Sequence, residues 1–197
     1  MIDASFLNRA APPGSMRYFS LLYAPRDERD AIAALYVIDA EIRESARSAS
    51  HDVAHTRLQW WRAEIDRLVN GAPQHPATRL LFERRPAERR SFAKLHELLV
   101  AADMDLARMT YNNASELNAY CSRSGGAVHE LIAEQLGGAG TSASSRNIAH
   151  TLGIGVRQTE ILRDVRQDAR GGSRGTWMPP PAIASLRASP TGLAGIP

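Results

Sequence analysis

In the stretch ILRDVRQDAR, residues 161–170, Asp164 and Asp168 stand four apart, with Glu160 one turn earlier. Residues at that spacing share a helix face, and like charges there cost roughly 0.2–0.5 kcal/mol per pair. No cation stands three or four residues from either aspartate: Asp164 has Glu160, Ile161, Gln167 and Asp168 at those offsets, and Asp168 has Asp164, Val165, Gly171 and Gly172. One reading is a solvated acidic face. The chemical reading is a Mg²⁺ site. A hard cation takes a carboxylate or two and completes its octahedron with water and substrate phosphates. Asp164 and Asp168 are therefore the candidate catalytic and metal-binding residues, with Glu160 as a third ligand. The spacing alone is weakly selective.

Other candidates carry less. His51 and His55 have the i, i+4 spacing of a zinc pair, but no third ligand is evident. Trp60 and Trp61 read as packing, since Trp61 falls on an apolar line. Asp103 and Asp105 are two apart and must diverge on a helix; one of them faces inward, and the spacing does not say which. Cys121 has no base partner and reads as a small buried residue. Neither a glycine-rich phosphate loop nor a serine nucleophile elbow is present.

The elements that would position these residues are helices, and the class is all-α, without convincing alternating strands. A first long helix opens near Asp27 and runs to about Ser48, with Ile32, Tyr36, Asp39, Arg43 and Arg47 as its inner line. A second starts around Thr56, buries Leu58, Trp61, Ile65 and Leu68, and stops at Asn70-Gly71 before Pro73. A short helix in ATRLLFERR breaks at Pro86. The next carries Phe92, Leu95, Leu99, Ala102, Leu106 and Met109. Ser115 is the expected cap of SELNAYCSRSGGAVHELIAEQLG. Its internal Gly125-Gly126 costs about 1 kcal/mol per glycine against alanine, which suggests a helix crossing or a ligand close to the backbone. A serine-rich linker, GTSASSR, leads into the helix of the acidic row, expected to end at Gly171-Gly172.

Composition bounds the rest. The chain has 197 residues, 44% of them hydrophobic, enough for one sizeable core. With 24 basic against 21 acidic residues the net charge is +3, too small to argue for nucleic acid. A single cysteine excludes an intramolecular disulfide. The opening MIDASFLNRAAPPGS lacks the pattern of a secretory signal, and no apolar run approaches a membrane span. The expectation is a soluble, cytoplasmic protein that can still touch the inner face of a membrane.

The order of several motifs says more than any one. RYFSLLYAPRDERDAIAALY, RLQWWRAEIDRLVNGAPQHP, ELNAYCSRSGGAVHELI and EILRDVRQDARGG together resemble, in sequence order, the conserved blocks of the squalene/phytoene synthase family. The resemblance covers residues 17–180, between a flexible N-terminus at 1–16 and a proline- and glycine-rich tail at 181–197. It implies an isoprenoid-synthase-like helical bundle around a central cavity. Two aspartate-rich helices would face each other across its mouth and hold Mg²⁺ against prenyl diphosphates. The reaction implied is prenyl transfer, joining two isoprenyl diphosphates head-to-head in isoprenoid biosynthesis, and Tyr120 of the YC segment joins the substrate-binding set.

Three departures qualify that implication. Aligned through ALYVID, the first aspartate motif falls on Arg43, Glu44 and Arg47, so Arg43, Arg47 and Arg163 are the expected phosphate contacts. Asp39, one turn earlier, can pair with Arg43. Upstream of the second motif, Arg157 and Glu160 replace the usual glutamine and asparagine. The stretch EIRESARSASHDVAHTRLQWWR resembles the divergent branch that includes respiratory complex I assembly factors. The alternative expectation is thus a non-catalytic member that assists assembly or binds an isoprenoid. The family also continues with helices beyond the second motif, and their absence here leads us to expect uncovered apolar faces and a homodimer.

Overall fold

The computed structural model describes residues 4–170, with side chains described as far as Asp164 in the final helix. Every regular element among these residues is helical. The first, α1 (Ala4–Ala10), lies inside the segment expected to be flexible. Phe6, Leu7 and Ala10 recur at helical spacing and pack on the core, so residues 4–10 have an anchor that the polar neighbours conceal. Helix α2 (Met16–Tyr23) starts at Ser15, whose hydroxyl accepts from the Tyr18 amide.

The central element is α3 (Arg26–Ala46), close to the expected bounds. Leu35, Ile38 and Ile42 on it are fully buried. Helices α1, α2, α4, α5, α6 and α8 all pack against it. Helix α4 (His51–Asn70) begins five residues before the expected Thr56, because the Ser50 hydroxyl caps it. Its apolar line Leu58, Trp61, Ile65 and Leu68 is buried as expected, and it ends at Gly71 with φ +87°. Helix α5 (Pro76–Arg84) follows a loop organised by the buried Glu64. That carboxylate accepts from the Gln74 and His75 amides, both at 2.8 Å, and from Thr78.

After Pro86 the chain forms a 3₁₀ stretch, Pro86–Leu95, before α6 (His96–Leu106). Phe92, Leu95, Leu99 and Ala102 are buried, whereas Met109 is exposed. Helix α7 (Ala114–Cys121) is capped by Asn113 and not by Ser115, the Asn113 side chain accepting from the Glu116 amide. It continues through a π-helical turn, Ser122–Gly126, into α8 (Ala127–Gly137). The last helix, α9 (Ala143–Arg170), crosses the π turn where the two backbones nearly touch. A Cβ on Gly125 would stand 2.2 Å from the Gly153 carbonyl oxygen. The glycine pair thus marks a helix crossing. The expected stop at Gly171-Gly172 and the tail lie outside the described residues.

Candidate functional site

The Gly125–Gly153 approach sets the site, because it holds α9 against the π turn and α7 one turn before Arg157. At the centre is Asp39 of α3, 1% exposed. It accepts from Arg17 Nη2 on α2 at 2.5 Å and from Arg43 Nε, one turn on, at 3.0 Å. Arg43 Nη1 then donates across to Glu160 Oε2 on α9 at 3.2 Å, and Arg157 Nη1 donates to the same oxygen at 3.1 Å. Arg17 stands 3.9 Å from Glu160 Oε1. Arg157 Nη2 donates to the Tyr120 hydroxyl at 2.7 Å, and that hydroxyl donates to Asp105 Oδ2 at 3.0 Å. One polar network therefore joins α2, α3, α6, α7 and α9 through the Arg17, Arg43 and Arg157 guanidinium groups and the Asp39, Glu160 and Asp105 carboxylates.

Burial and charge pull these groups in opposite directions. Burial alone would raise the Asp39 carboxyl, but Arg43 and Arg17 outweigh it and hold it down to about 2. Glu160 is likewise lowered against burial, by Arg43, Arg17 and Arg157. At Asp105 burial wins over Arg157, and the carboxyl is raised. Cys121 beside the network is pushed up to about 12 by burial, which fits an inert buried thiol.

Each expected site residue has a definite place. Arg43 lies on the inner line and reaches the acidic helix, and its expected pairing with Asp39 is present. Tyr120 is buried and bonded to Arg157 and Asp105. Glu160, expected as a metal ligand, instead receives guanidinium donors. Arg47 is the exposed C-cap of α3 and lines a pocket with Ser48, His51, Asp105 and Arg108. Asp164 corrects the expectation of an unpaired acidic row. Arg163 folds back on its neighbour and donates from Nε to Oδ1 at 2.6 Å and from Nη2 to Oδ2 at 2.9 Å. Spacing on the helix face misses this pair because a long guanidinium stem can reach the adjacent residue over the helix surface. The Asp168 side chain lies outside the described residues. Arg17 and Asp105 had no recognised role in the sequence; Asp105 proves to be the inward member of its pair, while Asp103 pairs with Arg62.

The described carboxylates do not fit Mg²⁺ as they stand. Both oxygens of Asp39 and of Asp164 accept from arginine, and Glu160 Oε2 accepts from two. No group of three candidate metal ligands occurs among the described residues. What the arrangement offers is a set of desolvated arginines, suited to phosphate oxygens.

A family model described as Squalene/phytoene synthase matches residues 11–182. The chain belongs to the squalene/phytoene synthase family. It is 32% identical over 164 residues to phytoene synthase 2, chloroplastic, of Solanum lycopersicum, covering 79% of this chain and 52% of that protein. Phytoene synthase of Mycobacterium tuberculosis is 30% identical over 157 residues, covering 79% and 50%. The protein of the same name from Arthrospira platensis is 30% identical over 171 residues, covering 79% and 54%. The chain spans about half the length of these curated relatives. Among the described residues no helix is long and apolar enough to cross a membrane.

Proposed function

We propose that the chain binds a prenyl diphosphate where α3 meets α9 and serves head-to-head prenyl transfer with release of diphosphate, as the names of its relatives suggest. The observation that carries this is Arg43, which reaches the acidic helix from the position where the resemblance puts the family's first motif. A guanidinium fork matches two phosphate oxygens at once. Arriving phosphate oxygens would take Arg43 and Arg157 from Glu160, with Arg47 at the rim. Preorganised cations there would stabilise the charge that develops on the departing diphosphate.

A second reading has one observation in its favour. The arginines and Glu160 neutralise each other, an arrangement that suits holding an isoprenoid without turning it over. The relatives' names give a complex I assembly role no support.

Calorimetric titration with farnesyl thiodiphosphate, in Mg²⁺ and in EDTA, tests the binding claim. Binding should persist in EDTA and weaken at least tenfold in R43E; absence of binding in both buffers would end the proposal. Product analysis with farnesyl and geranylgeranyl diphosphates separates transfer from binding alone. A cytoplasmic homodimer touching the membrane that supplies its apolar substrate completes the reading. Light scattering and vesicle co-sedimentation check those two points.

A further inference from the structure

On the far side of the α8–α9 crossing lies a second cluster that the ion network does not use. The Ser122 Oγ is 2.9 Å from His150 Nε2, and His150 Nδ1 is 3.2 Å from Glu130 Oε2. Lys94 in turn pairs with Glu130. A carboxylate accepts only, so Glu130 orients the imidazole with its proton on Nδ1 and leaves Nε2 to accept from Ser122. Hydroxyl, base and orienting carboxylate thus stand in hydrogen-bond series, the arrangement that activates a serine nucleophile.

Two further features hold this arrangement in place. Ser122 opens the π-helical turn, a local geometry that often accompanies functional sites. The His150 ring lies against the backbone of Gly126, where an added Cβ would meet the ring at 2.7 Å. Only glycine leaves room for the imidazole to reach Ser122. The side chain of His150 is 27% exposed and that of Glu130 16%, so the cluster borders solvent.

We infer that Ser122 is an activated nucleophile that takes an acyl group from activated carboxylic esters, with His150 as its base and Glu130 as the group that orients it. In the step, Ser122 Oγ forms a bond to the carbonyl carbon and the bond from that carbon to the leaving alkoxide breaks. The hydroxyl proton passes to His150 Nε2 and then to the leaving group. The Ser122 amide is already bonded to the Ala119 and Asn118 carbonyls. It supplies no oxyanion donor, so the geometry assigns acylation without the fast turnover of a dedicated hydrolase.

Incubating the full chain with p-nitrophenyl acetate and with a fluorophosphonate, then mapping adducts by peptide mass spectrometry, tests this. Ser142 and Ser145, which bond each other at the exposed start of α9, serve as internal controls. Ser122 should be modified at least tenfold faster than either. The modification should vanish in S122A and slow at least tenfold in H150N and E130Q, with helix content unchanged by circular dichroism. G126A should slow it as well, by displacing the ring. Modification of Ser122 no faster than of the controls would overturn the inference. So would an unchanged rate in folded H150N, since the cluster would then only tie α8 to α9.

Discussion

Asp39 is the residue on which the ion network turns, and its titration has a definite sign. Its carboxyl is held at about 2 in the folded chain against an ordinary 3.8. The unfolded chain therefore binds that proton more readily, and the ionised carboxylate stabilises the fold above about pH 4. That contribution, about 2 kcal/mol at 1.36 kcal/mol per unit, is lost as pH falls from about 4 to about 2. Chemical denaturation followed across this range should show a smaller loss in D39N than in the parent chain, the remainder coming from other lowered carboxylates such as Glu160. Removing the carboxylate outright leaves Arg17 without its short contact in a buried setting. D39A should accordingly cost about 3 kcal/mol in urea unfolding at neutral pH, and a cost below about 1 kcal/mol would show that solvent replaces the lost partner.

At the scale of elements, the crossing of α9 over the π turn depends on which glycines touch. An alanine at Gly125 would place its Cβ 2.2 Å from the Gly153 carbonyl oxygen and 2.8 Å from Arg157 Cβ. Backbone cannot yield as a flexible side chain does, so G125A should lower stability by at least ~1–3 kcal/mol and shift Arg157 off Tyr120. Gly155, two residues along α9, meets nothing within 4 Å. There the better helix propensity of alanine should raise stability by up to ~1 kcal/mol. Thermal melts of the two variants should move in opposite directions. A matching pair of shifts would mean that the crossing is looser than the backbone approach indicates.

Across the whole molecule, the network ties the N-terminal helices to the last one through Glu160, which engages Arg17, Arg43 and Arg157. Glu160 also competes with any incoming anion for those arginines. E160Q removes one negative charge from their midst, an effect on the order of 1 kcal/mol at a part-buried site. Inorganic pyrophosphate should therefore bind about fivefold tighter to E160Q than to the parent chain, measured by calorimetry in EDTA. The same variant should melt at a lower temperature in the absence of ligand. Weaker pyrophosphate binding in E160Q would move the anion site away from this network.

Much of the architecture was legible because helical periodicity and capping are local. The buried lines of α3 and α4, the stop at Gly71 and the break at Pro86 all follow from residues within one or two turns. Even the glycine pair pointed to a close approach, since its propensity cost called for a reason. The starts of α4 and α7 differ from the expected Thr56 and Ser115, because Ser50 and Asn113, nearby polar residues, take the capping roles. The order of the motifs carried the family, and the arginines at the first-motif positions were visible as departures. What no local pattern could decide was pairing across the bundle. Arg43 and Glu160 are separated by 117 positions, and whether that carboxylate would face a metal or a guanidinium depended on where the Gly125–Gly153 contact set α9 against α3. Arg163 closing on Asp164, and Ser122 meeting His150, are likewise products of side-chain reach and of helix crossing, which spacing along one chain does not encode.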